Sequence, residues 1–224
     1  MSTTLLAPQV QDESLGESFQ KRIATIVNDL MAQLPNPEQL TGEQRRGIIA
    51  RYTAVLEGNF IYWMTATFLA AKSKEAHPIL LENLYEECRD SHPAMMRRFA
   101  IAAHAFPTEA DAMAVDAALT RMRLFLGKLQ GVQSLAAMAF FECWIQRFMS
   151  FLADLAAAQG SSEMEYTDVH GVCDITHSQE LFRAVSIELA RNPLKPGANI
   201  YEGVELLSAL VQNMVQGPLP EPAS

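Results

Sequence analysis

Residues 170–177 read His-Gly-Val-Cys-Asp-Ile-Thr-His. Two imidazoles and one carboxylate stand in this stretch, at 170, 174 and 177. Each residue of an α-helix turns the chain by about 100°, so offsets of four and seven return to nearly one direction. His170, Asp174 and His177 therefore line one stripe if the segment is helical. Such a stripe is either a solvated face or three ligands aimed at a metal ion, and the flanking sequence has to decide between them.

That flanking sequence is helical almost throughout. Strand-like alternation is scarce, and there is no Asn-Gly or Asp-Gly hairpin signal. Apolar spacing predicts helices over 13–33, 42–73, 77–89, 92–105, 109–129, 132–158, 163–191 and 199–215. Thr41 and Thr108 stand where N-caps belong. Pro78 and Pro93 fall at early helical positions, where a missing N–H costs little. PNPEQ, QGSS and NPLKPG punctuate the run. Residues 1–12 and 217–224 read as flexible ends. No internal repeat and no long linker divides the rest. The expected fold is a single all-α domain over 13–216, a bundle of seven to eight helices.

Composition agrees. Hydrophobic residues are 49% and charged ones 19% of 224, which suits a globular chain with a sizeable core. No apolar run approaches the ~20 residues that span a bilayer. The N-terminus lacks the basic region and apolar stretch of a secretion signal. Cys88, Cys143 and Cys173 are widely spaced, giving neither a disulfide framework nor a zinc motif, which fits a reducing cytoplasm. A net charge of −9 argues against nucleic acid and anionic membrane partners.

The decisive observation is polar residues that face the wrong way. The helix over 132–158 is nearly all apolar, yet Glu142 sits in its middle with Leu135, Met138, Ala139, Ile145 and Met149 on the same face. Glu57 is the one acid between Gln44 and Lys74, with Ala50, Thr53, Ala54, Phe60, Ile61 and Met64 in phase. In HPILLENLYEECRDS, Glu87 shares a stripe with Leu80 and Leu84, whereas Glu82, Glu86 and Asp90 share a solvent-like one. His92 is in phase with Met95, Met96 and Phe99. A buried carboxylate without a partner is very costly, so each of these must be protonated, paired or bound to a metal. Four inward carboxylates (Glu57, Glu87, Glu142, Asp174) and three imidazoles (His92, His170, His177) would be neutralised by two divalent cations. Carboxylate and imidazole donors without a thiolate set suit iron or manganese. Taken singly, each buried acid also reads as a structural ion pair and each inward His as a hydrogen-bonded core residue. His77 and His104, at a helix start and a helix end, read as structural.

On these residues the chain resembles the haem-oxygenase-like diiron oxidases, the oxygen-activating branch of the haem-oxygenase, TenA and PqqC fold superfamily. The resemblance covers about 45 to 215. It is carried by Asn83-Leu84-Tyr85-Glu86-Glu87, by His92, by Glu142 in the apolar helix, and by His170, Asp174 and His177. Glu57 matches an acid that some members carry on the preceding helix, and Glu82 is the alternative to Glu87. The resemblance implies a seven-helix fold holding two Fe ions that reduce dioxygen. One iron would take His92, Glu142 and His177. The other would take Glu87, His170 and Asp174, with Glu57 bridging. Members N-oxygenate amines, cleave C–C bonds or oxidise their own side chains. The branch that makes p-aminobenzoate has a Tyr before the helix Glu and a Lys downstream. Here Phe141 and Leu152 stand in those places, and that activity is not expected.

The substrate pocket expected beside Glu57 and Glu142 is apolar, built from Phe60, Ile61, Met64, Met138, Phe141 and Ile145. Arg51 and Arg97 are the candidates for a substrate carboxylate. The expected partners are a small amino-acid-derived substrate, an external electron donor and, as an option, a second copy of the chain in a homodimer. Two other classes make different demands. A metal-free thiamine- or quinone-precursor enzyme would need a base near a Cys nucleophile, but Cys143 points about 100° away from Glu142. A non-catalytic helical protein would need basic partners for its buried acids.

Overall fold

The periodic apolar spacing is realised as helices throughout. The computed structural model describes residues 9–217, and among them there are nine α-helices and no strands. They are α1 (Gln9–Ala32), α2 (Gly42–Leu56), α3 (Phe60–Ala70), α4 (His77–Arg89), α5 (His92–Ala102), α6 (Glu109–Leu126), α7 (Gly131–Ala157), α8 (Glu165–Arg191) and α9 (Glu202–Gln216). A 3-10 turn, Pro37–Gln39, joins α1 to α2. The all-α bundle expected from the sequence is the fold. α1 starts at Gln9 rather than 13, and the ends expected to be flexible lie, over 1–8 and 218–224, outside the described residues.

Both expected caps form. Thr41 accepts from the Gln44 N–H at 3.2 Å while Gln44 reaches back to the Thr41 N–H at 2.8 Å. Thr108 and Asp111 make the same reciprocal pair at the start of α6. Asp111 also takes a bidentate contact from Arg46, at 3.0 and 2.9 Å, which ties α6 to α2.

One expectation fails. The helix predicted over 42–73 is two helices, broken at Glu57-Gly58-Asn59. Gly58 has φ 74, a left-handed conformation that glycine adopts without steric cost. Asn59 then stabilises the break. Its Nδ2 donates to the Val55 carbonyl at 2.9 Å, and its Oδ1 accepts two bonds from Arg123 of α6, at 3.0 and 2.7 Å.

α7 is the central helix, packed along its length on α8. Phe140, Phe141, Trp144, Phe148 and Leu152 are all fully buried. By length and composition α7 is apolar enough to cross a bilayer, contrary to the expectation that no run approached that length. However, 78% of its most apolar part is buried within the bundle. Where α9 crosses α6 and α7, a Cβ on Gly203 would lie 2.5 Å from the Phe125 ring and 2.8 Å from Ala137, so only glycine fits there.

Candidate metal centre

The stripe read from the sequence forms on α8. His170, Asp174 and His177 are all buried, on the side of α8 that meets α4, α5 and α7. α4 contributes buried Glu87, the first residue of α5 is buried His92, and the middle of α7 carries Glu142, 2% exposed. Glu82 is exposed, so of the two acids weighed on α4 it is Glu87 that joins the group. Ser91, between α4 and α5, takes φ 56, a strained left-handed turn that a non-glycine residue rarely adopts. It brings His92 back against Glu87.

The donors form two groups. Donor atoms of Glu87, His92 and His170 lie within 4.8 Å of one another, and so do those of Cys173, Asp174 and His177. His92 Nδ1 lies 2.8 Å from Glu87 Oε1, and its ring lies edge-on to His170 at 4.4 Å between centroids. His170 Nδ1 is 2.8 Å from the Tyr166 carbonyl. A carbonyl only accepts, so Nδ1 carries the proton and the Nε2 lone pair is free for a ligand. His177 Nε2 meets Glu86 Oε2 at 2.5 Å, while its Nδ1 stands 3.7 Å from Asp174 Oδ1. That separation is too long for a hydrogen bond. His177 Nδ1 and Asp174 Oδ2 are both buried with no hydrogen-bond partner among the described residues.

Electrostatics make the same demand. Burial raises Glu142 well above the ordinary glutamate range, and the charge of Asp174 adds to it. Burial lowers His170, so that ring is neutral. His177 is raised to about 10: burial opposes its charge, but Asp174, Glu142 and Glu86 outweigh it. His92 is raised likewise, its burial overcome by Glu87. Four acids (Glu86, Glu87, Glu142, Asp174) thus face two charged imidazoles, and the cavity that Glu87, His92, Glu142, His170 and Asp174 line has no Lys or Arg among its described residues. Orphaned buried donor atoms and surplus negative charge are what a multivalent cation satisfies, and oxygen and imidazole donors suit iron.

A profile of iron-containing redox enzymes matches residues 50–211 of this sequence. The chain belongs to the iron-containing redox enzyme family. The matched span holds every donor just described, so this family member is an iron-containing oxidoreductase whose own residues fit the metal. No curated protein is matched by the sequence.

Several expectations are corrected by the geometry. Glu57 is not an inward residue of a continuous helix. It ends α2 at the break, half-buried, and pairs with Arg97. Glu86, read as solvent-facing, instead reaches His177. Its signal was the acid in the Asn83–Glu87 stretch. Phe60, Ile61 and Ile145 line the cavity, with Leu56, Pro93, Met96 and Tyr166. Met64, Met138 and Phe141 do not; they are fully buried core, with Phe141 packed on Trp63 and Trp144. Arg51 is spent on the end of α9, donating to the Met214 and Val215 carbonyls at 2.8 and 3.2 Å. Sequence reasoning also missed the Tyr52–Tyr166 pair. The two buried phenols share a hydrogen bond of 2.8 Å, and the Tyr166 ring packs on His170. His77 is structural as expected, holding the Ala71 carbonyl at 2.9 Å.

Proposed function

We propose that this member of the iron-containing redox enzymes is a non-haem diiron oxidase or oxygenase. It would use dioxygen to oxidise a small amino-acid-derived metabolite, by N-oxygenation or by oxidative C–C or C–N cleavage. The observation that carries the reading is the pairing of two donor groups in one buried acidic cluster. Glu87, His92 and His170 would hold one ion. Asp174, His177 and Glu142 would hold the other. When bound, the iron supplies the electrons and the Lewis acidity for oxygen activation.

The remaining work falls to the chain. The Tyr166 carbonyl and Glu86 hold His170 Nδ1 and His177 Nε2, so that the opposite nitrogen of each faces the site; His170 offers its lone pair directly, and His177 would do so on losing its second proton to the binding ion. Leu56, Phe60, Ile61, Met96 and Ile145 make an apolar wall that keeps water off the acids. The cavity is small, ≈ 20 Å³, little more than one water molecule requires, which suits ions and dioxygen. With acids outnumbering the one charged imidazole and no Lys or Arg among the described residues of the lining, the cavity would favour the amine end of an amino-acid-derived compound over its carboxylate. Electrons would come from an external donor.

The test is anaerobic reconstitution with ferrous iron, followed by iron counting and Mössbauer spectroscopy. Two irons per chain in a coupled pair, and substrate-dependent oxygen consumption with small amines, are expected. A chain that keeps its helical circular dichroism but binds no iron would belong instead with the metal-free or non-catalytic alternatives.

A further inference from the structure

We propose that Cys173, Asp174 and His177 form a mixed sulfur, oxygen and nitrogen metal site, so that one ion of this centre is held by a thiolate. This position would take softer divalent ions, Co2+ and Zn2+, in preference to Mn2+. Thiolates select such ions, whereas carboxylate and water sets do not.

The geometry comes from α8. Cys173 and His177 are four residues apart and share a face of the helix, and Asp174 stands three before His177. The Cys173 Sγ lies 3.2 Å from Asp174 Oδ1, and His177 Nδ1 lies 3.7 Å from the same oxygen. A tetrahedral ion with bonds of ~2.0–2.3 Å keeps its donors ~3.3–3.8 Å apart. Both separations are therefore close to those around a single bound ion. Two further observations point to a ligand here. Asp174 Oδ2 and His177 Nδ1 belong to side chains more than nine-tenths buried, and neither has a hydrogen-bond partner among the described residues. Glu86 occupies the other imidazole nitrogen, so Nδ1, the nitrogen facing Asp174, is the one left for an ion once it gives up its proton.

Binding would release the thiol proton and the second imidazole proton of His177 to solvent and leave sulfur–metal and nitrogen–metal bonds, with no change of oxidation state. The other two thiols lack this setting: Cys88 is exposed, and neither it nor Cys143 belongs to a donor group among the described residues. The inference rests on the metal-centre reading for the location of the ion. It needs neither iron nor oxygen chemistry.

The test is anaerobic titration of the full-length, metal-free chain with Co2+, followed by absorption spectroscopy. Wild type should develop a near-ultraviolet thiolate-to-cobalt charge-transfer band as one cobalt equivalent binds. Cys173→Ala should lose that band and keep the ligand-field bands of the other group. Its affinity for the affected equivalent should fall by at least the roughly 10-fold that loss of even an outer partner costs. Cys88→Ala and Cys143→Ala should keep the band. Cobalt binding without the band, or a band that survives Cys173→Ala, overturns the thiolate ligand while leaving the metal centre standing. No cobalt binding to a folded chain overturns both. Should Cys173→Ala fail to fold, wild-type alkylation decides: Zn2+ should slow modification of Cys173 and not of Cys88, and equal rates overturn the proposal.

Discussion

Replacing Glu142 with Met separates a metal ligand from a structural acid, because the two roles predict opposite signs. Glu142 is 2% exposed on the most apolar helix of the bundle. Burial and then the charge of Asp174 raise its pKa, and no hydrogen bond contributes to the shift. Replacing buried ionic groups with apolar ones of similar volume ranges from neutral to ~1–4 kcal/mol stabilising. Met has nearly the length of Glu and needs no partner. In the metal-free protein Glu142→Met should therefore gain about 2 kcal/mol, which in a chain of this size raises Tm by roughly 4–8 °C. The pH dependence has a definite sign. A carboxyl whose folded pKa is raised binds its proton more tightly in the folded state, so wild type loses stability as pH climbs above the ordinary value of ~4.3. Met has no such slope, and the gap between variant and wild type should widen from pH 5.5 to pH 8. Ferrous iron should reverse the order. At 100 times Kd it stabilises whatever binds it by ~2.7 kcal/mol, and the variant, missing a ligand, gains less. Thermal melts of both proteins, metal-free and iron-loaded at the two pH values, read all three effects. A variant that melts below wild type in the metal-free state at both pH values, and gains as much from iron, would refute the reasoning. Glu142 would then be a satisfied structural acid.

Glu86→Ala should leave the fold intact and weaken iron binding by ~10–100-fold, because it frees His177 to rotate and to change tautomer; isothermal titration checks this. Glu57→Ala should retain two iron equivalents and lose only the ion pair between half-buried Glu57 and exposed Arg97, worth ~0.2–1 kcal/mol near the surface. Loss of one equivalent on titration would mean that Glu57 leaves Arg97 for the centre. Tyr52→Phe should destabilise the chain by ~1–3 kcal/mol by stranding the Tyr166 hydroxyl. The double variant with Tyr166→Phe should cost less than the two single costs added, as read by denaturant melts.

What the sequence made legible were features a helix decides within itself. The α8 stripe depends only on the offsets among 170, 174 and 177 and on the helix continuing past them, which it does to Arg191. The choice of Glu87 over Glu82 follows from its phase with Leu80 and Leu84, and the caps at Thr41 and Thr108 from neighbours three residues on. The features that escaped are set by distant residues. Apolar spacing runs on through 57–59, and one glycine does not by itself end a helix. Asn59 joins the turn to Arg123, 64 residues later, and that contact rotates Glu57 out of the stripe its periodicity assigned. Glu86 is the mirror case. Its neighbours in phase, Glu82 and Asp90, make its face look solvated, until α8 brings His177 to it across 91 residues. The charge argument outlasts this exchange. One acid leaves the cluster for an arginine and another enters to orient an imidazole, so four carboxylates still face three histidines with no Lys or Arg on the cavity lining. A cation requirement read from such a sum is robust to helix register, whereas the assignment of a particular acid to a particular ion is not.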